Sequence, residues 1–202
     1  MTHAQTPAER VAVLPWCLKG GTESAVKTAR ETITTLFEKT KHEVLSPAAV
    51  QVAWETDLKL APIPTELKDD EDFPAMPSAK DLLALGKKLH VDWVCAGRAK
   101  WHTKSVWVSL GPKTKADCTV DCMIIDVKKE EVALDAKNVK ADSTRVEKGL
   151  ETAGALLVSM GFTALSGGPK TPHQQRAARQ AIGLAFEPWL KTTQAASKKI
   201  GD

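Results

Sequence analysis

Two short apolar runs anchor the hydrophobic pattern of the chain, Arg10-Val-Ala-Val-Leu-Pro-Trp16 and His90-Val-Asp-Trp-Val-Cys-Ala-Gly97. Each is rich in Val and each abuts a segment of helical periodicity, the pattern of buried parallel strands in an α/β sheet. After the first run, Gly20-Gly21 makes a turn and Thr22 caps a helix with Glu23 in its first turn. Val26, Ala29, Ile33, Leu36 and Phe37 give that helix one apolar face through about Lys41. A short strand at His42 to Leu45 follows, and Ser46-Pro47 opens a second helix that buries Val50 and Trp54.

Residues 55–77 interrupt the pattern. Pro62, Pro64, Pro74, Pro77 and the acidic block Asp69-Asp-Glu-Asp72 predict a solvated loop, either mobile or part of a binding surface. Ser78 with Asp81 forms a capping box for a helix lined by Leu82, Leu85 and Leu89, which leads directly into the second apolar run.

From Trp101 the period changes to two. Val106 and Val108 predict a short strand-like piece, and Ala116 to Val127 a longer strand with Cys118, Val120, Cys122 and Ile124 on one face. Lys128-Lys-Glu-Glu131 is a charged turn, and Val132, Leu134 and Ala136 begin the returning strand of an antiparallel hairpin. Thr144 with Glu147 caps a helix through Met160, stopped by Ser166-Gly-Gly-Pro169. Thr171-Pro172 with Gln174 caps the last helix, whose stripe is Ala178, Ala181, Ile182, Ala185, Phe186 and Trp189.

The order β-α-β-α-α-β-β-β-α-α predicts one α/β domain over residues 1–190, a mixed sheet with helices packed on it, and a polar, frayed tail over 191–202. The length of 202 residues, 43% of them hydrophobic, supports one substantial core. A net charge of +3 is too mild to imply a nucleic-acid partner by itself.

Cys17, Cys95, Cys118 and Cys122 sit in or beside apolar, strand-like runs and read as buried free thiols. Cys118 and Cys122 lie four apart on one strand, roughly 13 Å at the usual rise, too far to bridge. No metal or cofactor is expected. No run approaches the ~20 apolar residues of a membrane helix. Thr2-His3-Ala4 followed by a polar stretch is similar to the residues flanking a signal-peptidase cut. The expected location is periplasmic or secreted if a signal peptide lies upstream of this chain, and cytoplasmic if Met1 is the true start.

The layout resembles a family of extracytoplasmic α/β domains. The family includes the curli secretion-channel subunit, the N-terminal domain of the Tol-system translocation protein, and small lipoproteins that assist envelope assembly. Its opening strand motif is matched by Arg10 to Trp16. Its helix-to-strand motif is matched by His90 to Gly97, with His90 in place of the usual glycine. Its later hairpin is matched by Met123 to Val132, with Asp126 before the turn. The resemblance spans about residues 8–165 and implies the fold, with binding to a protein partner or self-association as the family's general mode.

Two departures narrow it. Leu14-Pro-Trp-Cys17 has Pro and Trp where a lipid-anchoring motif needs small residues. Between Trp101 and Cys118 there is no room for the ~9–11-residue strands of a membrane-crossing hairpin, so a pore is not expected.

Candidate chemistry concentrates in Lys100, Trp101, His102, Lys104, Trp107, Lys113 and Lys115, where cations and aromatic rings interleave. That combination suits stacking of bases or docking of an anionic or glycan partner, or a solvated hairpin whose Trp rings cover the sheet edge. Cys17, after the first strand and before a helix N-terminus, is the one candidate nucleophile, with His42 and His102 as the only bases offered for it. Gly20-Gly21-Thr22 reads as a plain turn rather than an anion site, and Asp69 to Asp72 as a solvated acidic block rather than a calcium site. The sequence therefore predicts a non-catalytic assembly domain contacting partners through 101–117 and 55–77. A nucleic-acid-binding module is the alternative and a thiol enzyme a distant third.

Overall fold

The computed structural model describes residues 8–68, 70–108, 111–143 and 173–200. The helix expected at 144–160, its stop at 166–169, the Thr171-Pro172 cap, residues 2–4 and Asp69 lie outside the described residues. The strands are β1 (Arg10–Val13), β2 (Cys17–Lys19), β3 (Glu43–Val44), β4 (Glu66–Leu67), β5 (Trp93–Val108), β6 (Gly111–Asp126) and β7 (Glu131–Asp142). The helices are α1 (Glu23–Lys39), α2 (Pro47–Val52), α3 (Ala79–Leu89) and α4 (His173–Ile200), with α2 continuing in π form over Ala53–Asp57.

These strands form one mixed seven-stranded sheet. β1 and β2 lie end to end along one edge of β5, both parallel to it, with β3 and β4 outside them. β6 runs antiparallel along the other edge of β5, and β7 antiparallel to β6. The expected mixed α/β sheet is thus present, but the first apolar run is two strands rather than one. Val13 pairs with Cys95 and Cys17 with Arg98, so the run takes four steps where β5 takes three. The break falls at Pro15, which has no N–H to give the ladder.

The two motif segments fit each other physically. The Trp16 ring lies directly over Gly97, where an added Cβ would stand 2.4 Å from the indole. His90 ends α3 in the left-handed conformation (φ 52°, ψ 48°), which explains why a glycine suits that position. Asp92 accepts from the Arg10 backbone N–H at 2.7 Å and pairs with Lys128 at 2.7 Å, tying β1 to the β6–β7 turn. Asp126 accepts from the Lys129 N–H at 3.0 Å and closes that turn.

One face of the sheet packs α1 and α4. Trp16, Phe37, Cys95, Trp101, Cys118, Ile182, Phe186 and Trp189 belong to this larger core. The other face carries α2 and α3 over Leu14, Val50, Trp54, Leu85 and Val94. A fully buried side chain of this size contributes roughly 1.5–3 kcal/mol, so both layers are substantial. The caps expected at Thr22, Ser46 and Ser78 each accept from the backbone N–H three residues on. α4 runs on to Ile200, through residues read from sequence as a frayed tail.

The segment 55–77 is a half-buried cover at its apolar positions and solvated at Asp70, Glu71 and Asp72. Trp54 Nε1 donates to the Ala61 carbonyl at 2.8 Å, and Leu58, Leu60, Ile63 and Met76 pack against the α2–α3 core. Arg98 holds the far end, donating to the Pro74 carbonyl at 2.9 Å and stacking over Phe73. The prolines that signalled a loop also lower the cost of ordering it.

Candidate binding surface

The β5–β6 ribbon outgrows its neighbours. β2 pairs with β5 only as far as Lys100, while β6 pairs with it to Val108. On the other side, β7 leaves β6 at the Asp142–Asp117 pair. Beyond these points the chain is a two-stranded arm, and the short piece expected at Val106 and Val108 is the outer end of a continuous 16-residue strand.

The arm is anchored where it departs. Trp101 is 3% exposed and its Nε1 donates to the Gln174 carbonyl at 3.1 Å. Gly21 makes room for it, since a Cβ there would lie 2.9 Å from the ring. The Gln174 amide donates to Thr103 Oγ1 at 2.9 Å and accepts from the Thr22 N–H at 2.8 Å. The Gly20-Gly21-Thr22 turn thus gives its helix-start N–H to a side chain of the same protein. Across the ribbon, Ser143 satisfies Ala116 twice, accepting from its N–H and donating its own N–H to the Ala116 carbonyl.

Of the seven candidate residues, the five whose side chains are described, Lys100, Trp101, His102, Lys104 and Lys115, do not share one surface. Along β5, Cys95, Ala99 and Trp101 share the face that packs on α1 and α4. Lys100, His102 and Lys104 alternate onto the opposite face. His102 and Lys104 are exposed and Lys100 half-buried, with Lys104 Nζ 3.9 Å from Asp117. Half-buried Lys115 stands opposite Lys104 in register. Register also pairs Trp107 with Pro112 and Lys113 with Val106, but the side chains of these residues lie outside the described ones. Trp101 is therefore a core residue and not a stacking ring. The signal was present in the sequence, because period two carried outward from Cys95 and Ala99 puts Trp101 on the core face.

Cys17 lies in β2 rather than on a loop and is 2% exposed. Burial raises its pKa above the ordinary thiol value, against the lowering influence of Arg98 and Lys19. It borders a cavity of about 250 Å³ between the sheet and the cover segment, lined also by Trp54, Ile63, Met76 and Gly97. All four thiols are free and buried, and burial pushes that of Cys122 up to about 12. A buried thiol with a raised pKa is a poor nucleophile, which weighs against the role offered for Cys17.

A larger cleft of about 750 Å³ opens at the other end of the sheet, where Glu9, His42, Trp93, Asp126, Lys128 and Trp189 meet. Sequence reasoning missed it because these residues come from separate elements with no shared spacing. His42 Nδ1 lies 2.7 Å from Thr40 Oγ1, and Glu9 Oε2 stands 3.4 Å from Nε2, off hydrogen-bond geometry. Burial lowers the His42 pKa, a fall partly offset by Glu9. The cleft carboxylates Asp92 and Asp126 are engaged by Lys128 and Lys129. Among the described residues no group of three or more His, Cys, Asp or Glu converges to hold a metal ion, and no helix is long and apolar enough to cross a membrane.

No protein-family model and no curated protein matches the sequence. Among solved structures, the chain is similar to the hypothetical protein CT253 from Chlamydia trachomatis, at 14% identity over 91% of this chain and 98% of that one, with a TM-score of 0.42. It is similar to lipoprotein GNA1162 from Neisseria meningitidis at 13% identity, 80% and 100% coverage and a TM-score of 0.40. It is also similar to the C-terminal domain of LpoB from Salmonella enterica at 11% identity, 69% and 85% coverage and a TM-score of 0.40.

Proposed function

We propose that this chain is a non-catalytic extracytoplasmic binding or assembly domain that acts through protein–protein contacts. The observation that carries this reading is the β5–β6 arm, which extends past β2 and β7 and has no further ladder partner among the described residues. A two-stranded ribbon is marginal in water by itself, so a sequence that keeps one rigidly anchored at Trp101, Thr103 and Ala116 favours contact with another chain. Membership of the curli-subunit and Tol N-terminal group, and an envelope location, belong to the same proposal and rest on the Arg10–Trp16, His90–Gly97 and Met123–Val132 motifs.

The arm is not itself a pore element on this reading. Thr103–Val108 and Gly111–Ala116 are shorter than the roughly 9–11 residues needed to cross a membrane, and they carry Lys104, Lys113, Lys115 and Pro112. Nucleic-acid binding is disfavoured because Trp101 is buried, which leaves the basic face without that ring.

The test places a photo-cross-linker at position 104 in the producing cell, with exposed Val52 as the control position. The expected result is a discrete protein adduct from position 104, absent from position 52 and lost when residues 103–116 are replaced by a tight turn. Adducts to nucleic acid alone would overturn the reading in favour of the alternative.

A further inference from the structure

The edges of this sheet are not equivalent. β3 and β4 have two residues each, too short to template a strand. β7 is long, but its ladder to β6 shifts register between Val120 and Cys122 and again between Ile124 and Ile125, and Asn138 is left-handed at φ 54°. Such bulges twist an edge away from further pairing. The arm edge of β6 begins at Ala116, whose N–H and C=O both go to Ser143. From Gly111 to Lys115 β6 also has no strand on its outer side among the described residues, but Pro112 interrupts its donors, whereas the outer edge of β5 is longer and free of proline. From Lys100 to Val108 its ladder to β6 runs without a shift, and past Lys100 no strand among the described residues pairs its other side.

We propose that this edge accepts an extended acidic segment of a partner protein as an added strand, in the place that β2 leaves at Lys19. The inference rests on the assembly reading above and names the mode of contact and the chemistry of the partner. Main-chain hydrogen bonds to the open edge supply the attachment, and side chains at alternate positions supply the selectivity. Lys100, His102 and Lys104 stand at successive alternate positions on one face. Asp117 lies 3.9 Å from Lys104 across the ribbon, but with Lys115 opposite Lys104 the face keeps a net positive charge. The complementary segment therefore carries Asp or Glu at every second residue. Pairing two arms from two copies would set Lys104 and its neighbours against their own kind, which selects a different, acidic chain as occupant.

Amide hydrogen exchange on the full chain tests this, with a synthetic peptide alternating Glu and Val as probe. The expected result is slowing of exchange at Thr103, Ser105 and Trp107, whose amides face the open side, by about tenfold or more at saturation, the behaviour of amides entering a ladder. A peptide alternating Lys and Val, and the Glu peptide with a central Pro, should leave these amides unchanged. The Lys100→Glu/Lys104→Glu variant should reverse the preference, binding the Lys peptide instead.

No slowing with the Glu peptide overturns the inference. Equal slowing with the Pro peptide overturns it too, as does slowing produced only by a single-stranded oligonucleotide. If the peptide fails while position 104 still yields its protein adduct, strand addition is wrong and the assembly reading stands. If both fail, both are wrong.

Discussion

β5 is one strand with two unlike halves. From Trp93 to Lys100 it has strands on both edges and helices on both faces, and Val94, Cys95, Ala96 and Ala99 are at most 1% exposed. From Thr103 outward it has β6 alone. The inner half spends its side chains on packing, so its residues are fixed by shape. The outer half has no strand beyond β6 among the described residues, so its open edge is free to serve another surface. Stability belongs to one half and recognition to the other, and mutations should separate them.

The largest effect should come from the inner half. Trp16 is 3% exposed and stacks on Phe186 with ring centroids 6.2 Å apart. Trp16→Ala should cost about 3–5 kcal/mol in urea unfolding. Gly97→Ala drives a methyl into that ring and should cost about 1–3 kcal/mol. Lys104→Glu, on the outer half, should stay within about 0.5 kcal/mol. A costly Lys104→Glu would erase the contrast between the halves.

Asp92 sharpens the same contrast at the root of β5. Burial would raise its pKa, but the bonds from Lys128 and the Arg10 N–H overcome this and hold it below the ordinary 3.8. A depressed carboxylate stabilises the fold above its unfolded pKa and loses that contribution as pH falls through the folded one. Asp92→Ala should cost about 1–3 kcal/mol at pH 7, and the difference from the parent should shrink in acid. A difference that persists unchanged at pH 2 would contradict the ion-pair account.

How far the halves were legible in sequence follows from the same division. The inner half announced itself through apolar runs, because buried strands leave little choice of residue. Trp16 and Gly97 were read as parts of two separate motifs, and only their contact shows why both are needed. The length of the arm was hidden because Lys100 to Lys104 and Gly111 to Lys115 carry few apolar residues, so period two showed only the short piece at Val106 and Val108. β4 was invisible for a different reason: two residues between prolines carry no periodicity. The cleft around His42 and Trp189 was illegible because it forms only when distant elements converge.

His42 gives a smaller, pH-dependent effect. Its folded pKa lies below the unfolded 6.5, with burial as the main cause and Glu9 opposing it. The neutral ring is therefore the folded form, and stability should decline as pH falls below about 6.5 toward the folded value. Comparing urea midpoints at pH 7.5 and 5.5 checks this, and His42→Gln should flatten the difference. A midpoint that rises over the same interval would show that the Glu9 attraction wins.

A small effect of the opposite sign is expected at His90. Its left-handed backbone costs a side-chain-bearing residue about 1–2 kcal/mol, and glycine gives part of that back in chain entropy. His90→Gly should therefore raise stability by about 0.5–1 kcal/mol, read as a higher urea midpoint.

The central claim is that one strand joins a packed half to an open one, and native-state hydrogen exchange of the unliganded protein tests it most directly. Amides of 93–98 should exchange only through global unfolding, while those of 103–108 should exchange through local opening, with protection lower by a factor of about 100 or more. Equal protection along the whole of β5 would contradict the account, because the arm would then be part of the core and not a surface held out to a partner.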